Sequence, residues 1–231
     1  MHDTSLFNCQ QFFDSYGASI KQHAPNAKVV EIGSQDVNGS IRVCSPAEFE
    51  YIGVDFATGK GIDVVLTDPY SLPFESESVD VVVSNSCLEH SEMFWLIYLE
   101  IMRILKPTGV FYLNVPSNGG FHRYPVDCWR FYPDSGRALV TWAKRNGMNA
   151  ELLESYTSQQ IGDEWNDYVA IFLKDKDNLH LYPNRILNNK TDFTNGLVYG
   201  SNELLKPQGM PEDKLKMLAI KKIIDNEIKI G

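Results

Sequence analysis

Basic charge is in short supply. The 231-residue chain carries 21 lysines and arginines against 30 aspartates and glutamates, for a net charge of −9 and a pI near 5.0. A protein that draws its affinity from neutralising a phosphate backbone needs the opposite balance, so nucleic-acid binding is disfavoured. Cysteine is sparse too. Cys9, Cys44, Cys87 and Cys128 stand far apart and form no CxxC pair, which suggests neither a zinc cage nor a disulfide framework. Reduced thiols in a cytoplasm are the simplest reading. Residues 1–20 lack lysine, arginine and any continuous apolar run, so no standard secretory signal is expected, and the sequons at Asn38 and Asn189 carry no meaning without one. The greasiest stretch, Met93 to Leu105, is interrupted by Glu100 and Arg103 and is too short to span a bilayer. There is no internal repeat. A soluble cytoplasmic protein without a membrane partner is expected.

What is present is an ordinary globular composition, 43% apolar and 22% charged, well away from the disordered range. The length predicts one domain with an appendage. Lys28–Ile32, Phe49–Val54, Asp63–Leu66, Val79–Val83 and Gly109–Val115 read as five short strands. Between the last two, Ser86 to Leu105 is apolar all round a helical wheel and reads as one helix, stopped by Lys106-Pro107-Thr108-Gly109. Such alternation implies a parallel sheet covered on both faces. Residues 116–133 are irregular and rich in glycine, proline and aromatics. A helix is predicted from Asp134 to Asn146, capped by Asp134 or Ser135 and ended by Gly147. Ala150–Thr157 and Tyr168–Lys174 supply two more strands. Residues 176–211 show no clear periodicity. Glu212–Ile230 predicts a moderately amphipathic helix with Met217, Ile220, Ile224 and Ile228 on one stripe, and Leu6–Ile20 predicts a helix at the front. The sum is an α/β fold with seven strands, divided into an N-terminal helical extension (1–26), a sheet domain (27–175) and a C-terminal extension (176–231).

In an open α/β sheet, ligands lie beyond the carboxyl ends of the strands. Those ends carry Glu31-Ile32-Gly33, Asp55, Asp68, Ser84-Asn85 and Pro116-Ser117-Asn118. Asp55 follows Gly33 by 55 − 33 = 22 residues, the spacing at which a carboxylate accepts hydrogen bonds from ribose hydroxyls. The intervening loop, Gly33-Ser34-Gln35-Asp36-Val37-Asn38-Gly39, does not suit a dinucleotide. Gln35 occupies the second glycine position of G-x-G-x-x-G, and Asp36 repels phosphate. A cofactor without phosphate and with a positive charge fits better, and a nicotinamide-dependent oxidoreductase is disfavoured.

The strings VVEIGSQDVNGS, YIGVDFATGKGIDVVL, DPYSLPFESESVDVVVSNSCLEH and EIMRILKPTGVFYLNVPS, in that order, resemble the successive motifs of class I S-adenosylmethionine-dependent methyltransferases. The resemblance covers about residues 27–175. It implies a doubly wound, Rossmann-like sheet of seven mostly parallel strands, the last antiparallel, and S-adenosylmethionine as cofactor. It also implies that Glu31 and Gly33 face the methionine moiety, with Ser34 of the same loop among the cofactor contacts, Asp55 the ribose, and Asp68 the adenine amino group with Pro69 beside the ring. Leu72-Pro73-Phe74 would close the adenine side, and Ser84 to Ser86, Asn85 among them, would line the path to the methyl group. The chain departs from the family pattern in two places. The second and third glycines of E/D-x-G-x-G-x-G are replaced by Gln35 and Val37, and the short Gly39–Glu48 segment predicts a first helix reduced to a turn.

The stretch Phe121 to Phe131, FHRYPVDCWRF, follows the fifth strand, where acceptor-binding loops sit in this fold. The string H-x-x-P-x-D-x-W-R-F resembles a subgroup of these methyltransferases associated with sugar and surface-polysaccharide biosynthesis. Aromatic faces such as Tyr124 and Trp129 stack on sugar rings, and Arg123 or Arg130 can hold a phosphate or carboxylate bidentately. Alternatively, Trp129 belongs to the core and Arg130 pairs with Asp127 to pin the loop. An alcohol acceptor needs a base, and His90 and His122 are placed for it, with Asp127 to orient an imidazole. Glu89-His90 capping the following helix is the structural alternative. Glu89, His122 and Asp127 have no tight ligand spacing, so no metal is assigned. Cys87 and Cys128 have little to mark them as nucleophiles. The expected activity is methyl transfer from S-adenosylmethionine to a small polar acceptor, a hydroxyl of a sugar, sugar-phosphate or nucleotide-sugar. The alternatives are N-methylation of a small amine, or a non-catalytic binding subunit. The terminal helix would serve such a subunit or a homodimer contact.

Overall fold

The computed structural model describes residues 3–162, 164–225 and 227–228. Its strands are β1 Lys28–Ile32, β2 Glu50–Asp55, β3 Val64–Val65, β4 Val79–Asn85, β5 Leu105–Pro116, β6 Glu151–Ser158, β7 Asp167–Leu173 and β8 Phe193–Val198. They form one eight-stranded sheet in the order β3-β2-β1-β4-β5-β7-β6-β8. β1 to β5 pair in parallel, β7 runs antiparallel between β5 and β6, and β8 adds antiparallel to β6.

The sheet therefore has eight strands where seven are expected. β8 lies within the segment that shows no periodicity, and its composition explains the discrepancy. Phe193-Thr-Asn-Gly-Leu-Val places Asn195 and Gly196, both poor strand formers, at its centre. Asn195 sits at φ 52°, beside a register shift between Ser155 and Thr157 on β6. Such an irregularity is tolerated at a sheet edge, where few ladder bonds are at stake.

The central strands read as continuous apolar runs because both faces are covered. On β4, Val82 points into one core with Phe111, under helices α2 (Phe94–Ile104) and α3 (Ser135–Arg145). Val81 and Val83 point into the other, with Tyr112, under helix α1 (Asp3–His23) and its Phe12, Tyr16 and Ile20. The first crossover contributes only a 3₁₀ turn, Ile41–Cys44, in agreement with the short Gly39–Glu48 segment. α1 packs against that turn and fills the face a full helix would cover.

A buried carboxylate ties this face together. Glu154 of β6 accepts hydrogen bonds from the Tyr16 hydroxyl (2.7 Å) and from the amides of Ile186 (2.7 Å) and Leu187 (3.0 Å). Burial pushes its carboxyl above the ordinary range.

Two helices differ from expectation. The apolar run from Ser86 becomes helical only at Phe94, because Ser86 takes a left-handed conformation (φ 49°) and Leu88–His90 form a separate 3₁₀ turn. Asp134 does cap α3 by position, yet its side chain makes no capping bond; the Ser135 hydroxyl instead accepts the Tyr132 amide (3.1 Å). The last helix, α4, spans Glu212–Ile224 and buries no residue, so its apolar stripe is exposed; Ile230, the expected end, lies outside the described residues. Among the described residues, no helix is long and apolar enough to cross a membrane.

Candidate cofactor and acceptor site

The strand order reverses between β1 and β4, and in open α/β sheets the crevice at that point is where ligands bind. A cavity of about 450 Å³ opens there, lined by Glu31 from β1, Asp55 from β2 and Asn85 from β4, with Gly33, Ser34 and Gln35 along its floor. The loop after β1 turns sharply. The amides of Gly33 and Ser34 both donate to the Val54 carbonyl (2.9 and 3.1 Å), and Gly33 stands at φ 81°. A Cβ there would lie 2.5 Å from both Cβ and Sγ of Cys87, so only glycine fits. Asp55 is fixed by the amides of Gln35 (3.3 Å) and Ala57 (3.2 Å). Glu31 is buried and accepts from the Tyr51 hydroxyl (2.9 Å); burial outweighs that bond and pushes its carboxyl up to about 7.

Residues 41–113 match the family model described as a methyltransferase domain, about a third of the chain. The fold is that of a class I methyltransferase. The chain superimposes on the Burkholderia thailandensis 1,6-didemethyltoxoflavin-N1-methyltransferase, solved with 1,6-didemethyltoxoflavin and S-adenosylhomocysteine bound, with a TM-score of 0.53 and 16% identity over 75% of this chain and 80% of that one. A candidate sarcosine dimethylglycine methyltransferase from Galdieria sulphuraria gives a TM-score of 0.54 and 15% identity, over 73% and 86%. At such identities the likeness concerns the fold. No curated protein matches the sequence.

S-adenosylmethionine is the cofactor of a methyltransferase domain of this kind, and the cavity fits it in three respects. Two carboxylates, Glu31 and Asp55, face a space with no lysine or arginine on its lining, which suits an ammonium and sulfonium ligand. Ser34 Oγ and Asn85 Oδ1 are buried without a hydrogen-bond partner, leaving polar groups for a ligand to satisfy. The glycine cradle brings backbone where a Cβ would intrude.

The remaining expected cofactor contacts divide. Pro69 lines the cavity, joined by Tyr70. Asp68 does not: it is exposed, and its carboxylate accepts the Tyr70 amide (2.8 Å) in a local turn. Ser84 is buried behind the lining, its hydroxyl donating to the Ile32 carbonyl (3.1 Å). Leu72 belongs to the core and Phe74 packs against it, pinned by Arg103, whose guanidinium donates to both carbonyls at 2.9 Å. They do not face the cavity.

The acceptor loop folds over the far end. His90 lines the cavity together with Tyr124, Pro125 and Val126. Its Nδ1 meets the Val126 carbonyl, which can only accept, so Nδ1 carries the proton and Nε2 keeps a free lone pair. Partial burial lowers its pKa, favouring the neutral imidazole. The His122 ring lies 5.0 Å from that of His90, edge to face, with Trp165 5.1 Å away on it. Asp127 accepts the His122 amide (2.8 Å) and both arms of Arg130 (2.6 and 2.9 Å). The Arg130 guanidinium holds its carboxyl down to about 2.

His122, Asp127 and Arg130 thus form one hydrogen-bonded group beside His90, outside the cavity lining. Trp129 donates its indole N–H to the Ser91 carbonyl (2.8 Å) and packs edge-on to Phe94 and Trp95, which fixes the loop to α2. Arg123 is exposed and donates to the Pro125 carbonyl (3.1 Å). Cys87 is shielded and burial pushes its thiol up, which makes it inert.

Three further residues shape the site. Gln35 replaces a glycine, and its side-chain oxygen accepts the Tyr124 hydroxyl (2.7 Å), joining the cofactor loop to the acceptor loop. Trp165 covers His122 from the β6–β7 connection; Gly119, at φ 99°, makes room for it, since a Cβ there would lie 2.0 Å from the indole. Glu89 keeps its carboxylate buried, with Oε2 lacking a hydrogen-bond partner and burial raising the group to about 8. The sequence marks them weakly: Gln35 stands out only as a missing glycine, Glu89 only as a neighbour of His90, and Trp165 lies far from either loop in sequence.

Proposed function

We propose that this chain transfers a methyl group from S-adenosylmethionine to a hydroxyl of a small polar acceptor, a sugar or sugar-phosphate. The observation that carries the reading is the pair of imidazoles, His90 and His122, their rings 5.0 Å apart, with His90 on the cavity wall itself. Bound in the cavity, S-adenosylmethionine supplies an electrophilic methyl group. Glu31, Gly33, Ser34 and Asn85 hold the methionine end, Asp55 the ribose, and Pro69 with Tyr70 the adenine side. The loop from Phe121 to Phe131 holds the acceptor in line with the methyl, and alignment of this kind accounts for much of the acceleration of a displacement. An alcohol must lose its proton as the new bond forms. The neutral, half-buried His90 with its free Nε2 suits that release, and Asp127 keeps His122 beside it through the backbone. Tyr124 and the exposed guanidinium of Arg123 give the acceptor a stacking face and an anion partner at the rim, while Trp129 and Arg130 hold the loop in shape.

The test is turnover on a panel of nucleotide sugars and sugar-phosphates with His90→Ala and His122→Ala. Both variants are expected to lose about 10²–10⁴-fold in kcat while binding S-adenosylhomocysteine as the parent does. Full turnover in both would remove the histidines from the reaction. Methylation of amines alone would replace the hydroxyl acceptor with a nitrogen.

A further inference from the structure

The sequence shows no metal-ligand spacing, but the fold assembles one. One donor atom each from Glu89, His90 and His122 lies within 4.8 Å of the other two. The Nε2 of His90 and Oε1 of Glu89 are 3.7 Å apart, too far for a hydrogen bond. Two donors on one tetrahedral zinc, at about 2.1 Å each, stand about 3.4 Å apart, close to that separation.

We propose that Glu89, His90 and His122 bind one divalent first-row transition cation at the acceptor end of the cofactor cavity.

Four observations support the assignment. First, the Glu89 side chain is 1% exposed and its Oε2 has no hydrogen-bond partner, so a carboxyl group is buried there without the pairing that burial requires. Second, the outer shell is already in place. The Val126 carbonyl fixes the Nδ1 proton of His90 and leaves Nε2 bare, and the Gly120 carbonyl stands 3.1 Å from Nδ1 of His122 in the same role. A backbone carbonyl on the second nitrogen is the usual way a ligating imidazole is oriented. Third, the nearby guanidinium is held off Glu89: Arg130 is engaged by both oxygens of Asp127 and by the Gly120 carbonyl (2.7 Å), and its Nη2 reaches His122 only on the Nδ1 side (3.4 Å), which leaves Nε2 for the cation. Fourth, two imidazoles and one carboxylate make three protein ligands, the number that leaves open positions on a catalytic metal, and imidazole donors select transition cations over magnesium. His90 lies on the cavity wall, so the open positions face the space that receives the acceptor.

The site deepens the methyl-transfer reading, on which its position beside the acceptor rests. A bound cation would take the acceptor hydroxyl as a further ligand, fix its orientation and lower its pKa; with Nε2 on the cation, His90 would act as a ligand and no longer as the base.

The experiment uses the full chain, stripped with a chelator and titrated separately with Zn²⁺, Mn²⁺ and Co²⁺ by calorimetry and equilibrium dialysis. One equivalent of at least one ion is expected to bind, and Co²⁺ should give the visible absorption of a low-coordinate nitrogen–oxygen site. Glu89→Gln and His122→Ala should each weaken binding by more than the about 10- to 100-fold that loss of an outer-shell partner costs. S-adenosylhomocysteine binding, measured on the same samples, reports whether each variant is folded; His122→Ala, at a half-exposed side chain, serves if Glu89→Gln does not fold. Absence of stoichiometric binding by a protein that binds S-adenosylhomocysteine overturns the proposal, with Glu89 then a neutral buried acid. Binding that survives both substitutions overturns it as well. Metal binding without methylation of any hydroxyl would leave the site standing and sink the acceptor assignment. Unchanged methylation by metal-free protein that takes up no ion would do the reverse.

Discussion

Glu31 offers the sharpest test of the cofactor site. Its carboxyl ends β1, faces the cavity and is pushed by burial from an ordinary 4.5 up to about 7. If it holds the ammonium of the cofactor, only its ionised form binds well. With a pKa of about 7, about 10% is ionised at pH 6 and about 90% at pH 8. The association constant for S-adenosylhomocysteine should therefore rise about tenfold over that interval, or about 1.4 kcal/mol, and binding at pH 6 should release close to one proton.

Stability responds in the opposite sense. The folded pKa lies above the unfolded one, so the folded state holds the proton more tightly. The contribution of Glu31 to stability is intact below pH 4.5 and is lost as pH rises to about 7, by about 3 kcal/mol in all. Glu31→Gln should abolish the pH dependence of binding while making the free protein more stable than the parent at pH 8. Tyr51→Phe removes the hydrogen bond that favours the carboxylate, so the steep part of the curve should move to higher pH. Calorimetry at pH 6, 7 and 8, in two buffers of different ionisation enthalpy, measures both affinity and proton release. A flat affinity in the parent, or the same slope in Glu31→Gln, refutes the assignment.

Three other substitutions probe the remaining structure. Gly33→Ala forces a side chain into a left-handed backbone and against Cys87, so thermal stabilisation by S-adenosylhomocysteine should vanish; an unchanged shift would mean the cofactor lies elsewhere. Glu154→Ala leaves the Tyr16 hydroxyl and two amides unsatisfied, at about 3 kcal/mol or more, so the melting temperature should drop by about 6–12 °C; a drop under about 2 °C would show that water replaces the carboxylate. Arg130→Lys breaks the forked pairing with Asp127 and should lower kcat/KM for the acceptor about tenfold with cofactor affinity unchanged. Parallel losses of both would make Arg130 a fold residue.

Legibility in the sequence follows how local each signal is. β1, β4 and the second half of β5 are buried on both faces, and their apolar runs announce them; β2 is announced by Tyr51-Ile52 and Val54 leading into Asp55. Gly33 and Asp55 stand at strand ends, so placing the strands places them on the cavity. Asp68 fails because an aspartate before proline satisfies its own turn, and the string alone does not separate that role from ligand binding. β8 fails because edge strands need no strong propensity, and Asn195 and Gly196 hide it. Around His90, sequence pointed to His122, Asp127 and Arg130. The partnership of Glu89 with both histidines depends on Ser86 delaying α2 by two turns of chain, a tertiary outcome with no periodic signature.

The bond from Tyr124 to Gln35 joins two residues of the cavity lining and links a loop from the cofactor half to one from the acceptor half. If that bond closes over a bound cofactor, the cofactor neither enters nor leaves while the bond is made. Loading then precedes acceptor capture, and the demethylated product departs last. Kinetics should accordingly be sequential with a compulsory order, S-adenosylhomocysteine inhibiting competitively against S-adenosylmethionine and non-competitively against the acceptor. The glycine that this chain gave up at position 35 would then have been exchanged for control over the sequence of arrivals.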